Sequence, residues 1–221
     1  MRRFLTAFIS FSFAAFVIIA GRESIVSAPT STGNDTPSSA SGIQPNCSDG
    51  WRITGYYTPI ETDFTTLATR EVEIQGFGKA TFNADFLKTV FDDDQGFGEG
   101  WGKTRFGWYI GEYRGRWHKA DAPLDANDKP LEPNTVAVDN HVIPAGSKVN
   151  IPELPGDLAK LEFKSTDVGV SVHGKHIDVY TGEGRDARRR MYRFTYEEGD
   201  KGLQRVCFEP APTANPDRTK R

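Results

Sequence analysis

Three aspartates lie in segments that otherwise have the composition of β-strands. They are Asp139 in VAVDN, Asp167 in STDVG and Asp178 in HIDVY. Aspartate is disfavoured in strands, and a strand alternates its side chains between two faces. In HIDVY, Ile177 and Val179 therefore share the face turned to a core, and Asp178 and Tyr180 share the face turned to a cleft or to solvent. A carboxyl group presented in this way is suited to proton transfer. Alternatively, the three aspartates cap turns or edge strands.

The other polar and aromatic side chains are less specific signals. His173 and His176 are three positions apart, but no obvious further ligand accompanies them, so we expect no metal and no organic cofactor. Glu61 and Glu99 fall in predicted loops, where a solvated charge is the simplest interpretation. Aromatic residues such as Tyr56 could stack on sugar rings or simply fill a core.

Short strands and turns must position the three aspartates. Strand patterns occupy about 51–58, 72–74, 108–113, 116–118, 135–139, 147–151, 160–165, 175–180 and 205–208, and Ile143-Pro-Ala-Gly146 has turn composition. Residues 83–91 have helical spacing with Asn83 as the N-cap, and residues 185–192 could form a helical turn. The glycine-rich residues 92–107 are predicted as a loop or loose hairpin. Many short strands separated by turns indicate a closed barrel.

The first quarter of the 221-residue chain does not have the composition of a folded domain. Residues 1–28 combine a basic start with an apolar run from Phe4 to Ala20, which is typical of a secretory signal or an uncleaved membrane anchor. Residues 29–46 are rich in Ser, Thr and Pro and predict a flexible linker. We expect one folded domain over 47–210 and a disordered tail over 211–221, in a protein exported to the periplasm, the cell envelope or the cell exterior.

Charge and cysteine content narrow the choice of function. The leader carries a net charge of +2, so the rest of the chain carries −5, which argues against binding nucleic acid by bulk electrostatics. Cys47 and Cys207 bracket the predicted domain, and an even pair in an oxidising compartment predicts a disulfide. The alternatives are a lipid-modified Cys47 or two unrelated free thiols. We expect the protein to be a monomer, with a possible membrane tether through its N-terminal apolar segment.

Two separated motifs resemble the three-aspartate (3D) domain of the membrane-bound lytic transglycosylase A family. VAVDNHVIPAGSKVNI, followed by STDVGVSVHGKHIDVYTG, is similar to the aspartate-bearing segments of that family, including the spacing of 11 residues from Asp167 to Asp178. Upstream, TGYYTP at residues 54–59 resembles the segment at the start of that family's barrel. The resemblance covers about residues 51–192. The chain departs from the family at Val170, where glycine is usual, and at His173, where lysine or arginine is usual.

The resemblance implies an all-β fold: a six-stranded double-psi β-barrel with one or two short helices and long loops. It also implies cleavage of the β-1,4 bond between N-acetylmuramic acid and N-acetylglucosamine in the glycan strands of peptidoglycan. Asp178 corresponds to the family's catalytic acid, and Asp139 and Asp167 correspond to the partners that shape its site. We expect the segment Tyr56–Tyr57 to face the segment His173–Asp178 across a sugar groove. The expected substrate contacts are Tyr56, Tyr57, Thr58, Glu61, His173, Lys175 and Tyr180.

A lytic transglycosylase needs only one catalytic carboxylic acid. The muramyl 6-hydroxyl attacks the anomeric carbon of its own sugar, so one group can protonate the leaving oxygen and then deprotonate that hydroxyl. Such an acid must begin protonated, so burial or a neighbouring carboxylate should raise the pKa of Asp178. Larger members of the family carry a second domain that forms the far wall of the groove. Residues 61–134 look too short to replace it.

Two other functions are compatible with the same residues. One is a non-catalytic, expansin-like glycan-binding module, because expansin-like proteins share the double-psi barrel. The other is a polysaccharide hydrolase, in which Glu61 or Asp139 would supply the second carboxyl that hydrolysis normally requires.

Overall fold

The computed structural model describes residues 45–195 and 203–212. The predicted leader, most of the linker and most of the tail lie outside the described residues. In chain order, the elements are the strands β1 (Asn46–Thr58), β2 (Thr69–Ile74) and β3 (Gly78–Asn83), the helix α1 (Ala84–Val90), the strands β4 (Trp101–Lys103), β5 (Tyr109–Tyr113), β6 (Arg116–Ala120), β7 (Thr135–Val138), β8 (Lys148–Asn150), β9 (Phe163–Asp167) and β10 (His176–Glu183), the helix α2 (Gly184–Met191) and the strand β11 (Leu203–Glu209).

Six strands close into a barrel in the order β1-β10-β7-β9-β8-β11. This confirms the prediction of an all-β fold built on a six-stranded barrel. β1 pairs parallel with β10, and β7 pairs parallel with β9, whereas the other pairings in the barrel are antiparallel. Parallel neighbours cannot be joined by a tight hairpin and need a longer crossover connection. The chain makes its longest excursion from the barrel between β1 and β7, over residues 59–134.

Alternation along the strands fills the interior of the barrel. Ile53 on β1 lies opposite Ile177 on β10, and both side chains are fully buried, as is Val179 two positions further along β10. They belong to a core cluster that also contains Trp51, Val136, Val138, Ile143, Val149, Ile151, Leu154, Leu158, Phe163, Phe194 and Val206. Burying one such side chain contributes about 1.5–3 kcal/mol. The intervening residues of β1 and β10, which include Thr54 and Asp178, are left on the other face.

Residues 69–120 form a second sheet, which contains the predicted strands at 72–74, 108–113 and 116–118 and adds β3 and β4. Its strand order is β3-β2-β6-β5-β4, and β4 lies within residues 92–107, which the sequence predicts as a loop or loose hairpin. The sheet and α1 enclose a separate core of Val72, Ile74, Phe82, Phe86, Leu87, Val90, Ile110 and Trp117. These strands have a weak sequence pattern because few of their side chains are apolar. β2, for example, is TREVEI and buries only Val72 and Ile74.

The helix α1 begins where the sequence predicts. The side-chain oxygen of Asn83 accepts a hydrogen bond from the Phe86 backbone N–H at 3.0 Å, which is the contact that makes asparagine a favourable N-cap. Close packing requires glycine where α1 meets β4, because a Cβ atom at Gly102 would lie 2.4 Å from Cγ2 of Val90. No helix within residues 45–195 and 203–212 is long and apolar enough to cross a bilayer.

Cys47 and Cys207 form a disulfide, which confirms the prediction from the sequence. The two residues are directly opposite each other on the antiparallel strands β1 and β11. The bond therefore joins the first and last strands of the barrel, at the seam where the two ends of the domain meet.

Removal of this disulfide should destabilise the domain strongly. The two cysteines are 160 residues apart in sequence, and restricting the unfolded chain by a loop of that size is worth about 5 kcal/mol at 25 °C. We expect Cys47→Ser/Cys207→Ser to unfold at a clearly lower urea concentration than the oxidised wild-type protein. Reduced wild-type protein is the matched control and should unfold with the double variant. Equal midpoints for oxidised and reduced protein would contradict the prediction.

Candidate active site

The parallel pairing of β1 with β10 brings the candidate residues together. Its register places Thr54 opposite Asp178 and Tyr56 opposite Tyr180. The segment around Tyr56 and the segment around Asp178 are therefore adjacent strands of one sheet. They lie side by side, which corrects the expectation that they face each other across a groove. The aromatic rings of Tyr56 and Tyr180 are 5.2 Å apart, centre to centre.

Asp178 is half-buried and has a raised pKa. Burial raises the pKa of its carboxyl to about 6, and the negative charge of Asp167 adds to this effect, while Thr54 and the positive charge of Arg52 act in the opposite direction. When Asp178 is ionised, the Thr54 hydroxyl donates a hydrogen bond to its Oδ1 at 2.8 Å. Burial disfavours the charged form of a carboxyl, so Asp178 holds its proton at a pH where most aspartates have lost theirs.

Asp167 lies near Asp178 but has different partners. The Tyr56 hydroxyl donates to Oδ2 of Asp167 at 2.6 Å, and the backbone N–H of Val168 donates to Oδ1 at 2.9 Å. Burial raises the pKa of Asp167, and these hydrogen bonds oppose the rise. Tyr56 is thereby fixed between β9 and β10, and the carboxylate of Asp167 contributes negative charge to the site of Asp178.

Asp139 organises a loop and is not among the groups that raise the pKa of Asp178. Its Oδ2 accepts from the Gly174 backbone N–H at 2.8 Å, and its Oδ1 accepts from the backbone N–H of His141 at 2.9 Å and lies 3.0 Å from that residue's ring Nδ1. Gly174 has φ +62°, a conformation that glycine adopts without strain. These bonds lower the pKa of Asp139 to about 2. Asp139 is thus an ionised anchor for the loop before β10.

Three of the expected substrate contacts are buried in the protein. Tyr57 points away from Tyr56 and packs against Ala187 and Met191 of α2, because consecutive residues of a strand face opposite sides. The hydroxyl of Thr58 is 2.9 Å from the Tyr180 hydroxyl, and both residues are at most 4% exposed. The structure therefore assigns Tyr57, Thr58 and Tyr180 to the scaffold, with Tyr56 as the more accessible aromatic residue.

Glu61 is also part of the scaffold, although the sequence favours a solvated or substrate-binding carboxylate. Its side chain is 3% exposed. Its Oε1 accepts from the Asn83 backbone N–H and pairs with the Arg105 guanidinium, and its Oε2 accepts from the Arg105 backbone N–H. Since both oxygens are occupied, Glu61 ties the start of the excursion to the second sheet.

The loop before β10 carries the two remaining expected contacts. His173 is exposed. Lys175 is exposed as well, but its Nζ donates to the Asp49 backbone carbonyl at 2.9 Å and lies 5.9 Å from the centre of the Trp51 ring. Both side chains are therefore exposed, and that of Lys175 is held by its hydrogen bond to Asp49.

Glu99 is the site residue that the sequence does not reveal. Its Oε2 accepts a hydrogen bond from the Tyr57 backbone N–H at 2.9 Å, and its own N–H donates to the Thr89 carbonyl at 3.1 Å. Burial raises the pKa of Glu99 to about 8, and the negative charge of Asp178 raises it further, while Tyr57 and Arg188 oppose the rise. Glu99 and Tyr57 are 42 residues apart in sequence, so no local sequence pattern could have indicated their contact.

One family model matches part of the chain. Residues 134–193 match the family model of the 3D domain, a segment that contains Asp139, Asp167 and Asp178. No curated protein matches the sequence.

Within the part of the chain that the structure describes, no three His, Cys, Asp or Glu side chains are grouped so as to hold a metal ion.

Several solved structures are similar in fold to the chain. MltA of E. coli with bound chitohexaose is 17% identical, and the alignment covers 74% of this chain and 73% of that chain with a TM-score of 0.48. The lytic transglycosylase LtgG of Burkholderia pseudomallei is 15% identical, with 76% and 72% covered and a TM-score of 0.38. MltA of Neisseria gonorrhoeae is 12% identical, with 76% and 74% covered and a TM-score of 0.45. The segment that matches the 3D-domain model, residues 134–193, runs from the start of β7 through α2.

Proposed function

We propose that the protein is a lytic transglycosylase that cleaves the β-1,4 bond between N-acetylmuramic acid and N-acetylglucosamine in peptidoglycan. The observation that carries the proposal is the difference among the three aspartates of the 3D domain. Asp178 is half-buried with its pKa raised to about 6, whereas hydrogen bonds lower the pKa of Asp139 to about 2. The domain therefore holds one carboxyl that is protonated in mildly acidic solution, as the reaction requires at its start.

The reaction can proceed with Asp178 alone as acid and base. In the first half, the protonated Asp178 carboxyl donates its proton to the glycosidic oxygen, and the bond from that oxygen to the anomeric carbon breaks. In the second half, the muramyl 6-hydroxyl oxygen bonds to the same carbon, and the Asp178 carboxylate takes up the hydroxyl proton. One proton leaves the carboxyl and one returns, so no water is consumed and the product carries a 1,6-anhydro ring.

The neighbouring side chains have supporting roles in this mechanism. The negative charge of Asp167 raises the pKa of Asp178 and is positioned to stabilise positive charge that develops at the anomeric carbon. Tyr56 is held by Asp167 at 2.6 Å and offers an aromatic face for a sugar ring. Asp139 fixes Gly174, and through it the loop that leads into β10.

Hydrolysis is less compatible with these carboxyl groups. A hydrolase needs a second carboxylate to activate water or to attack the sugar. Glu61 is 3% exposed with both oxygens occupied, and Asp139 is held by Gly174 and His141. Glu99, with its pKa raised to about 8, is protonated at neutral pH and is then no base. A non-catalytic glycan-binding module would need no carboxyl with a raised pKa.

Product analysis tests the proposal directly. Purified protein is incubated with peptidoglycan sacculi at pH 5, and the soluble muropeptides are examined by mass spectrometry. A lytic transglycosylase releases anhydro-muropeptides, which are lighter by one water molecule than the corresponding hydrolysis products. Release of reducing muropeptides would assign the protein as a hydrolase. Binding to sacculi without any new chain ends would assign it as a glycan-binding module.

A further inference from the structure

A continuous chain of hydrogen bonds connects Asp178 to a buried histidine. The Thr54 hydroxyl oxygen is 2.8 Å from Oδ1 of Asp178 and 2.7 Å from Nε2 of His176. The other ring nitrogen of His176, Nδ1, is 3.1 Å from the Ser171 backbone carbonyl oxygen. Thr54 and His176 are each 8% exposed, so bulk water has little access to replace these contacts.

The number of hydrogen atoms shared among these hydrogen-bonded groups limits their protonation states. A carbonyl oxygen only accepts, so the contact with Ser171 places a hydrogen on Nδ1 of His176. Nε2 then carries a hydrogen only when the ring is a cation. The Thr54 hydroxyl has a single hydrogen, and it lies between two partners at hydrogen-bonding distance. One of those partners must therefore supply a second hydrogen.

When His176 is neutral, its Nε2 accepts the hydrogen of the Thr54 hydroxyl. The Thr54 oxygen is then an acceptor toward Asp178, and the contact at 2.8 Å forms a hydrogen bond only if Asp178 is protonated and donates. When Asp178 loses its proton, the Thr54 hydroxyl must turn away from His176 to stabilise the carboxylate. The imidazole and the carboxylate thus compete for one hydrogen atom.

We propose that His176 is a positioning residue that acts through Thr54 to keep the proton on Asp178. The neutral imidazole holds the Thr54 hydrogen and so withholds from Asp178 the hydrogen bond that would stabilise its charged form. His176 does not touch the glycan in this proposal. Its position is outside the residues that resemble the family motif, since it belongs to the variable dipeptide before the IDVY strand.

The charged groups around His176 and Asp178 favour the neutral form of the His176 imidazole. Burial lowers the pKa of His176, and the positive charges of Arg52 on β1 and of His173 in the preceding loop lower it further, while the Ser171 carbonyl raises it. Toward Asp178, Asp167 on β9 raises the pKa and Arg52 lowers it. Glu99, in the loop before β4, is close enough to Asp178 for the charge of Asp178 to raise the pKa of Glu99, and Glu99 is protonated below pH 8. None of these groups can replace the Thr54 hydroxyl as the direct partner of both residues.

Carbon-13 NMR of labelled aspartate carboxyl groups tests the proposal without any assay of turnover. The Asp178 signal is assigned by its absence from the spectrum of Asp178→Asn. In His176→Phe, the ring remains but the acceptor is lost, so the Thr54 hydroxyl is free to donate to the carboxylate. We expect the pKa of Asp178 to fall by about one pH unit. In His176→Gln, the side-chain oxygen can accept from Thr54, and we expect the pKa to stay close to that of the wild type.

Thr54→Val provides the decisive background, because valine keeps the shape of threonine and removes the hydroxyl. In that background, His176→Phe should leave the pKa of Asp178 unchanged, since the link between the two residues is gone. An equal fall in the pKa with and without the hydroxyl would overturn the proposal, and so would an unchanged pKa in His176→Phe alone. If His176→Phe fails to fold, as judged by thermal melting, His176→Leu replaces it, because leucine also lacks an acceptor for the Thr54 hydroxyl. A pKa of Asp178 that falls in His176→Leu only when residue 54 is threonine supports the link, and a pKa that falls equally in both backgrounds or in neither overturns it.

The connection to turnover rests on the proposed function and is tested separately. If the protein releases anhydro-muropeptides, the alkaline limb of the pH profile for kcat/KM should move down by about one pH unit in His176→Phe, which lowers kcat/KM about tenfold at pH 7. A shifted carboxyl pKa in a protein that releases no such product would retain the proton-holding role and reject the transglycosylase. If the protein releases anhydro-muropeptides and the pKa of Asp178 is unchanged in His176→Phe, the transglycosylase is retained and the proton-holding role of His176 is rejected.

Discussion

Asp178→Asn should abolish the release of anhydro-muropeptides while leaving the fold and glycan binding intact. Asparagine keeps the size of aspartate and can hydrogen-bond to the Thr54 hydroxyl oxygen, which lies 2.8 Å from Oδ1 of Asp178, but it cannot deliver or accept the transferred proton. Loss of a positioned general acid typically lowers the rate about 100-fold to 10,000-fold. The measurement is the initial rate of anhydro-muropeptide release from sacculi, together with a melting temperature for each protein.

The control for Asp178→Asn is the same substitution at a fully exposed position. Asp157 has a fully solvent-exposed side chain, so Asp157→Asn should release product at the wild-type rate. Asp167→Asn and Asp139→Asn should also reduce the rate, but they break hydrogen bonds to Tyr56 and Gly174, so their melting temperatures should fall as well. A near wild-type rate in Asp178→Asn would show that another group is the acid.

The second large effect expected is a loss of activity with rising pH. The acid must be protonated when the glycan binds, and burial raises the pKa of Asp178 to about 6. Above this value the protonated fraction falls tenfold per pH unit, so kcat/KM at pH 8 should be about 1% of its value at pH 5. The measurement is kcat/KM on a soluble peptidoglycan fragment between pH 4.5 and 8.5.

A charge-removing variant distinguishes this titration from a general loss of stability. The negative charge of Asp167 raises the pKa of Asp178, so Asp167→Asn should move the alkaline limb to lower pH. Circular dichroism of the wild-type protein over the same range should show an unchanged fold. Activity that stays constant from pH 5 to pH 8 would contradict the assignment of Asp178 as a buried acid.

The orientation of Asp178 could be predicted from its neighbours in the sequence. In HIDVY, strand alternation alone sends Ile177 and Val179 inward and leaves Asp178 on the other face, and the structure buries the two apolar residues. The N-cap at Asn83 and the pairing of Cys47 with Cys207 were predictable for similar reasons. Each follows from the chemistry of one or two residues.

The environments of Glu61 and Glu99 could not be predicted from the sequence, because they depend on contacts between segments that are distant in the chain. Glu61 and Glu99 are carboxylates in irregular segments, and a solvated charge was the simplest interpretation of both. Glu61 is buried because Arg105, 44 residues later, supplies a guanidinium and a backbone N–H. Glu99 reaches the barrel through the Tyr57 backbone N–H. Three strands of the second sheet were predicted in part, whereas β3 (GKATFN) and β4 (WGK) were missed because each is short and has few apolar residues.

The disulfide at the seam of the barrel also determines how the domain responds to mechanical force. Cys47 and Cys207 are 4.0 Å apart, Cα to Cα, so a pull applied at Asn46 and Phe208 passes directly through the covalent bond. The residues between the two cysteines carry none of that load, and β1 and β11 cannot be peeled apart. With the bond reduced, the same pull would open the barrel, and the freed segment could extend by on the order of 500 Å. Oxidation therefore makes this domain almost inextensible between its two ends.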